Sequence, residues 1–371
     1  MNAKETVQKL LKSAGITING SQSYDIHVQD DRFYRRVLSQ PVLGLGESYM
    51  DGWWECEALD QLMERVLRAG LEKQVKGSLH FQWQVMKAKL FNLQSLGRAA
   101  KSGRYHYDKG NHLYEAMLDS GMNYSCAYWA EADNLDDAQE AKLDLICRKL
   151  ELEEGMTVLD LGCGYGSFAT YAAENYGAHV TGVNVSEGQY EWFQEHHDDA
   201  VPVNIEIEDY RQVEGKYDRV LSIGFFEHVG VKNYPTYMEV VDRTLKDEGI
   251  SLIHTIGSNE SMVVINPWTA RYIFPNSMLP SVSQIGESIE EYFVMEDWHN
   301  FGPDYDKTLM QWHANFENAW SELKEKYSER FHRMWRYYLL TSAAGFRSRQ
   351  SQLWQVVLTK PGREQPFVRY R

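Results

Sequence analysis

A glycine loop between a predicted strand and a predicted helix is the segment best suited to bind a small molecule. The sequence VLDLGCGYGSFATY, at residues 158–171, ends an apolar run in Asp160 and then places Gly162, Gly164 and Gly166 at alternate positions. Glycines let a backbone turn sharply and approach a ligand that a β-carbon would obstruct. The G-x-G-x-G spacing departs from the dinucleotide fingerprint G-x-G-x-x-G, so a pyrophosphate cofactor is less favoured.

The loop resembles motif I of the class I S-adenosylmethionine-dependent methyltransferases, in which it lies along the amino-acid end of the cofactor. At the end of the second predicted strand, where this class commonly has an acidic residue, the sequence has Asn184. Its amide can bond the ribose hydroxyls, and Gln189, about one turn into the next helix, can add another bond. After the third strand, Asp209 can accept from the exocyclic adenine amine while Tyr210 supplies a flat face. Each of these residues alone is weak evidence for cofactor binding, because a carboxylate after a strand is usually a helix cap.

Further motifs carry a more specific resemblance. They are YHYDKGNHLYEAML from residue 105, MNYSCAYW from residue 122, GFFEHVGVKNY from residue 224, LIHTIG from residue 252 and EDWHNFGPDYDKTL from residue 296. With the glycine loop, they closely resemble the cyclopropane-fatty-acyl-phospholipid synthases and their mycolic acid relatives. The resemblance covers nearly the whole chain. It implies transfer of the S-adenosylmethionine methyl carbon to a cis double bond in an unsaturated acyl chain of a membrane phospholipid.

The resemblance also implies how a base is held. In the family, a bound bicarbonate ion takes the proton whose loss closes the cyclopropane ring, and water must be kept away from the cation on the chain. By resemblance, Cys126 and Ile256 offer backbone N–H groups to this ion. His254 donates from its ring and Tyr305 from its hydroxyl. Glu227 accepts the bicarbonate O–H, which requires an ionised carboxylate.

The remaining family positions concern the methionine part of the cofactor. Tyr124 and Ser125 match positions near its carboxylate and amine. The sequence departs from the family at Tyr165, where an indole is common, and at Val231, where proline often follows FEHVG. Neither position carries a chemical role. No metal is expected, and Cys126 is an anchor rather than a nucleophile, because no step of the implied reaction needs covalent thiol chemistry.

Alternating strands and helices after Tyr105 predict the elements that position these residues. Seven apolar runs indicate strands, at residues 156–161, 179–185, 203–207, 219–223, 250–254, 292–296 and 353–358. This pattern predicts an α/β fold, a Rossmann-like seven-stranded methyltransferase sheet with helices on both faces, preceded by a small, mainly helical N-terminal domain. Between residues 95 and 110 the sequence is rich in small and polar residues, which suggests a linker. We expect an N-terminal domain for lipid docking and dimerisation at 1–95, a linker at 96–110 and a catalytic domain at 111–371.

The charge of the chain is uneven. Lys and Arg number 38 against 53 Asp and Glu, and the resulting net charge of −15 opposes general nucleic-acid binding. Residues 61–104 nevertheless carry nine basic against two acidic residues, a net +7 that leaves −22 for the remainder. Apolar residues interleave with these cations at roughly helical spacing. This combination suits an anionic lipid surface, and a solvated basic helix packed on its own domain is the alternative.

The sequence also bears on location and on competing functions. No segment is apolar and long enough for a signal peptide or a membrane span, and the spacing of the four cysteines favours reduced thiols. We expect a cytoplasmic enzyme associated peripherally with the inner face of the membrane, and the resemblance implies a homodimer. Two alternatives stay open. One is a methyltransferase that gives a branched or methylene lipid or methylates a small amine. The other is a membrane-binding protein with a vestigial cofactor loop.

Overall fold

The computed structural model describes residues 2–71, 110–263, 265–367 and 370–371. Most of the basic segment at 61–104, the predicted linker up to residue 109 and the first five residues of the YHYDKGNHLYEAML motif lie outside the described residues. The described residues form two compact units by contact. The first unit takes those within Met1–Phe91, Val264–Pro275 and Tyr305–Ser351. The second takes those within Asn92–Val263, Asn276–Asp304 and Gln352–Arg371.

The described helices and strands are numbered here in chain order, apart from two single 3-10 turns at Tyr210–Gln212 and Val231–Asn233. They are α1 (Ala3–Ser13), β1 (His27–Val28), α2 (Arg32–Ser39), α3 (Pro41–Met50), β2 (Trp54–Glu55), α4 (Leu59–Arg68), α5 (Asn111–Met117), α6 (Leu135–Lys149), β3 (Thr157–Leu161), α7 (Ser167–Tyr176), β4 (His179–Asn184), α8 (Glu187–His196), β5 (Val203–Ile207), β6 (Tyr217–Ile223), α9 (Phe226–Val229), α10 (Tyr234–Thr244), β7 (Leu245–Ser258), α11 (Pro267–Tyr272), α12 (Val282–Ile289), β8 (Val294–Asn300), α13 (Gly302–Leu323), α14 (Glu329–Arg347) and β9 (Ser351–Thr359). Across the part of the chain that the structure describes, no helix has an apolar stretch long enough to cross a membrane.

The first unit is mainly helical and draws on distant parts of the sequence. Helix α14 packs against α3 and α4. The Arg347 guanidinium of α14 bonds the Asp60 carboxylate of α4 at 2.6 Å and the Asp306 carboxylate of α13 at 2.8 Å. These contacts explain why segments of the predicted catalytic domain group with the N-terminal helices. The predicted boundary itself, at 96–110, stays a prediction.

The second unit contains the predicted sheet. Its strand order is β5-β4-β3-β6-β7-β9-β8. Strands β3, β4, β5, β6 and β7 pair in parallel, and β8 pairs antiparallel with β9. All seven predicted strands are present, and the predicted α/β fold is confirmed. The strand order reverses at β3, between β4 and β6, and in open α/β sheets ligands bind at the carboxyl ends of the strands at such a point.

Candidate active site

The glycine loop joins β3 to α7 at the reversal of the strand order. Gly162, Gly164 and Gly166 have φ angles of +80°, +59° and +84°, a region that residues with a β-carbon rarely adopt. A β-carbon on Gly162 would lie 2.3 Å from the Phe225 ring, and one on Gly166 would lie 2.6 Å from the Phe193 ring. On Gly164 it would meet nothing within 4 Å. The outer glycines therefore serve close packing, whereas the backbone at Gly164 borders open space that a ligand can enter.

Asn184 and Gln189 lie beside this loop as predicted, but the Asn184 amide is already fully hydrogen-bonded. Its Nδ2 donates to the Gly164 carbonyl at 2.8 Å and to Gln189 Oε1 at 3.0 Å. Its Oδ1 accepts from the N–H groups of Val185 and Ser186 at 2.7 and 3.0 Å. Asn184 thus braces the loop at the glycine that borders open space. A bond from this amide to a ribose stays a prediction.

Asp209 and Tyr210 follow β5, and the structure adds Arg211 to them. The Asp209 carboxylate accepts from Arg211 Nε at 2.7 Å and from its Nη2 at 2.6 Å. The Tyr210 ring is mostly buried, with its edge toward the Phe225 ring at 5.3 Å, and burial raises the pKa of Tyr210 to about 12. The arginine fixes the carboxylate that was predicted to meet the adenine amine. The ion pair could have been predicted from the sequence, because Arg211 lies only two residues after Asp209.

A buried lysine that the sequence reasoning missed lies behind the predicted methionine-binding residues. Lys142 of α6 donates from Nζ to Asn123 Oδ1 at 2.9 Å and to Ser125 Oγ at 3.1 Å. Asn123 in turn donates to both carboxylate oxygens of Asp119, at 2.9 and 2.6 Å. Burial lowers the pKa of Lys142 to about 8 and raises that of Asp160 to about 7. Lys142 thereby positions Ser125. Its place on the apolar stripe of α6 could have indicated from the sequence that this lysine is buried.

Aromatic rings surround the other predicted methionine-binding residue. The Tyr124 ring packs edge-on against Tyr114, with centroids 5.1 Å apart. Tyr165, which departs from the family indole, packs 6.3 Å from the same Tyr114 ring and donates from its hydroxyl to Asn111 Oδ1 at 3.2 Å. The indole of Trp192 lies 5.2 Å from Tyr165. An indole is thus present next to the loop, although it comes from α8.

The structure brings Glu227, His254 and Ile256 together at the carboxyl ends of β6 and β7. Ile223 of β6 pairs with His254 of β7, and Glu227 follows in α9. The Ile256 N–H donates to Glu227 Oε1 at 2.6 Å, so this N–H, predicted to serve an anion, already has an acceptor in the protein. Among the described residues, Glu227 Oε2 and His254 Nε2 are buried and have no hydrogen-bond partner.

Burial sets the charge of both side chains. It raises the pKa of Glu227 to about 7, although the Ile256 N–H acts in the opposite direction. Burial, helped by the positive charges of Lys142 and Lys149, lowers the pKa of His254 far below its usual value. His254 is therefore a neutral ring at physiological pH, whereas Glu227 is divided between its two forms near pH 7. The role predicted for Glu227 requires the ionised form, which increases as the pH rises through about 7.

Cys126 and Tyr305, the other two residues predicted to hold the anion, are both buried. Cys126 is fully buried, and its Sγ lies 3.1 Å from the Ala127 carbonyl oxygen. Tyr305 belongs to the first unit, where its ring stacks on Phe346 at 4.6 Å and meets Trp312 edge-on at 5.9 Å. The anchoring role of the Cys126 backbone and the donor role of the Tyr305 hydroxyl stay predictions.

The unsatisfied atoms fit the ion that the resemblance implies. The buried ring nitrogen His254 Nε2 and the buried carboxylate oxygen Glu227 Oε2 each leave a hydrogen bond unmade, at a cost of about 1–3 kcal/mol. Bicarbonate carries acceptor oxygens for the first group and one O–H for the second. The open backbone at Gly164 likewise fits a cofactor that lies along the loop. Within the described ranges, no group of three or more His, Cys, Asp or Glu could hold a metal.

The strand order, together with a glycine loop at its reversal and polar residues after β4 and β5, defines a class I methyltransferase fold. A family model described as mycolic acid cyclopropane synthetase matches residues 94–356. The chain belongs to this family and is an S-adenosylmethionine-dependent methyltransferase. It is 54% identical over 352 residues to the cyclopropane-fatty-acyl-phospholipid synthase of Escherichia coli strain K12, a match that covers 95% of this chain and 92% of the relative.

Solved structures agree with this assignment. The cyclopropane synthase MmaA2 from Mycobacterium tuberculosis is 28% identical, with a TM-score of 0.65 over 70% of this chain and 98% of that one. Mycolic acid cyclopropane synthase CmaA1, complexed with SAH and CTAB, is 29% identical with a TM-score of 0.66 over the same shares of both chains. Coclaurine N-methyltransferase is only 21% identical, and its TM-score of 0.71 over 86% of this chain and all of that chain shows the fold alone. The predicted family is confirmed.

Proposed function

We propose that the protein transfers the methyl carbon of S-adenosylmethionine to the cis double bond of an unsaturated acyl chain in a membrane phospholipid and forms a cyclopropane ring. The observation that carries this proposal is the buried pair of unsatisfied groups, His254 Nε2 and Glu227 Oε2, close to the glycine loop in the sheet. An amine methyltransferase has no need of such a pair. The name of the E. coli relative supports the same substrate.

The overall reaction balances without an oxidant or reductant. The π electrons of the double bond form a bond to the methyl carbon while its bond to sulfur breaks, which releases S-adenosylhomocysteine and leaves a cation on the acyl chain. One proton then leaves the added carbon, and the C–H electron pair closes the ring. Since a neutral alkene needs no deprotonation before it attacks, alignment of the two substrates supplies most of what the protein adds.

Bicarbonate, when bound, supplies the base for that proton. For this role we assign the His254 Nε2–H as a donor to its oxygens and Glu227 Oε2 as the acceptor of its O–H. The backbone at Cys126 and Ile256 adds N–H donors. The stacked rings of Phe226 and Tyr234, 4.2 Å apart and both buried, keep water away from the side of Glu227.

The cofactor is assigned to the glycine loop and the residues around it. Gly162 and Gly166 allow the tight turn and its close packing, and Gly164 lets the backbone approach the amino-acid end of the cofactor. At that end Lys142 holds Ser125 in place. The other contacts follow from the sequence prediction. They come from Tyr124, Asp160, Asn184, Gln189, Asp209 and Tyr210.

We further propose that the protein works at the inner face of the cytoplasmic membrane as a homodimer. The +7 charge of residues 61–104 supports the membrane location, because each Lys or Arg near anionic lipid adds about 1 kcal/mol of attraction. The dimer is what the resemblance to the family implies. Two subunits on one bilayer would combine weak docking into avidity. Sedimentation with anionic and with zwitterionic vesicles tests the docking, and light scattering tests the dimer. Equal binding to both vesicle types would contradict the electrostatic part.

The activity is tested by incubating the purified protein with S-adenosylmethionine and vesicles of a monounsaturated phospholipid. We expect acyl chains that gain one CH2 group and resist catalytic hydrogenation of double bonds. A gain of one CH2 with a double bond retained would indicate a methylene lipid instead. Unchanged chains, in a protein that binds S-adenosylhomocysteine by calorimetry, would refute the proposed substrate. Absence of that binding would favour a vestigial loop.

A further inference from the structure

Among the described residues, the ring of His254 has one hydrogen-bond partner, the side chain of Gln355. Gln355 of β9 is fully buried, and its Nε2 lies 3.3 Å from His254 Nδ1. The two residues are 101 positions apart in sequence. They meet because β9 is inserted next to β7 in the sheet. The opposite ring atom, His254 Nε2, has no partner.

The chemistry of this contact decides where the ring proton lies. The amide is placed with its nitrogen toward Nδ1 and with Gln355 Oε1 buried and without a hydrogen-bond partner in the described part of the chain. In this orientation the amide nitrogen has hydrogens to donate and no lone pair to offer, so Nδ1 acts as the acceptor. A neutral imidazole carries a single N–H, and an acceptor Nδ1 places it on Nε2. Nε2 is the atom that needs a proton if the ring is to donate to an anion.

We propose that Gln355 is a positioning residue that fixes His254 as the Nε2–H tautomer, so that the ring presents a donor rather than a lone pair to the anion site. The consequence for catalysis rests on the proposed function, whereas the tautomer itself does not. The opposite tautomer would direct a lone pair at the bicarbonate oxygens, and that arrangement repels an anion.

The surroundings of the ring leave this assignment to Gln355. The Phe301 ring stands edge-on to His254 at 5.8 Å and offers no polar atom. His299 lies beyond Phe301, with ring centroids 4.9 Å apart, and its Nδ1 is 3.1 Å from Lys149 Nζ. These neighbours disfavour a charged His254 by their fields but make no bond that distinguishes Nδ1 from Nε2.

Two variants at this position separate tautomer control from packing. Gln355→Glu reverses the polarity of the contact, because a carboxylate accepts from Nδ1–H and moves the ring proton to Nδ1. Gln355→Met keeps a similar length and removes the bond, so that it remains informative if the buried carboxylate impairs folding. Gln352→Met is the matched control, because Gln352 is a buried glutamine on the same strand whose Oε1 accepts from Asn300 Nδ2 at 2.9 Å.

The primary readout is the ¹⁵N spectrum of protein labelled in histidine, with the His254 signals assigned by their loss in His254→Asn. We expect a protonated Nε2 and a bare Nδ1 in the wild type and in Gln352→Met. We expect a protonated Nδ1 in Gln355→Glu and a mixture in Gln355→Met. A wild-type ring protonated on Nδ1 would overturn the inference, and so would a tautomer unchanged in both Gln355 variants.

The second readout is the bicarbonate concentration that gives half-maximal activity. It should rise about tenfold or more in Gln355→Glu and less in Gln355→Met, while the KM for S-adenosylmethionine changes by less than about twofold. Equal losses in Gln352→Met would show a packing effect and overturn the positioning role. Because the spectra need neither cofactor nor lipid, a wild-type protein that fails to make cyclopropanes refutes the proposed function without deciding the tautomer.

Discussion

Replacing Glu227 by glutamine separates what this carboxylate does in the reaction from its effect on the fold. Glu227 is 5% exposed, and burial raises its pKa from 4.5 to about 7. The difference corresponds to about 3 kcal/mol by which the folded protein favours the neutral form over the charged one. Glutamine keeps the shape of the side chain, and its Oε1 can still accept from the Ile256 N–H.

The sign of the effect follows from proton linkage. Below pH 4.5 the carboxyl group is protonated in the folded and the unfolded chain, so it causes no pH dependence. As the pH rises toward 7, the unfolded chain releases the proton first, and the wild type loses stability until the folded group has also ionised. Glutamine does not titrate. The free energy of unfolding of Glu227→Gln, relative to wild type, should therefore rise by about 2–3 kcal/mol between about pH 5 and about pH 8.

Urea unfolding followed by tryptophan fluorescence, repeated across this pH range, measures the difference. Glu174→Gln, at an exposed position of α7, is the control for removal of one charge. In the same preparations, cyclopropane formation should fall about 100-fold or more, and the affinity for S-adenosylhomocysteine should stay within about twofold. Parallel stability profiles of wild type and Glu227→Gln would refute the reasoning, because they would mean that the carboxyl group titrates as it does in water.

Three other outcomes are expected. Gly164→Ala and Gly155→Ala both place a β-carbon at positive φ in open space, so each variant should lose about 1–2 kcal/mol of stability. Only Gly164→Ala should weaken S-adenosylhomocysteine binding in calorimetry, and equal affinities of the two variants would contradict the binding role of the backbone at Gly164. Lys142→Met should weaken the same binding about tenfold, because Ser125 Oγ and Asn123 Oδ1 lose their shared donor; an unchanged Kd would show that the lysine serves only the fold. The rate of cyclopropane formation should rise with pH through about 7 as Glu227 ionises, and a flat profile from about pH 6 to about pH 8 would argue against its role as an acceptor.

Local patterns were sufficient to predict the sheet, but they misplaced the ends of some strands. The run at 250–254 is the buried middle of β7, which begins at Leu245 and includes the exposed residues 246–248. The run at 292–296 overlaps only the first half of β8, which extends to Asn300. Strand β8 lies at the edge of the sheet, and its polar residues do not form the apolar run that marks a central strand.

Some residues of the candidate site could be predicted from the sequence, and some of their contacts could not. Glu227 and His254 were predicted from the resemblance to the family, because the motifs around them are contiguous in sequence and can be matched one residue at a time. The bond between Ile256 and Glu227 and the contact between Gln355 and His254 depend on which strands and helices become neighbours, and no local pattern encodes that. Lys142 is intermediate, because its place on an apolar helix stripe is visible in the sequence but its partners are not.

The hydrogen bond between Ile256 and Glu227 bears on how readily the proposed anion site empties. Because the Ile256 N–H already has an acceptor at 2.6 Å, an incoming ion exchanges one hydrogen bond for another and gains little free energy there. In the proposed site, most of the affinity for the ion would come from His254 Nε2 and Glu227 Oε2, which have no other partner among the described residues. When a protonated base left after a turnover, the Ile256 N–H would return to Glu227 Oε1, so its departure would leave no unsatisfied donor there.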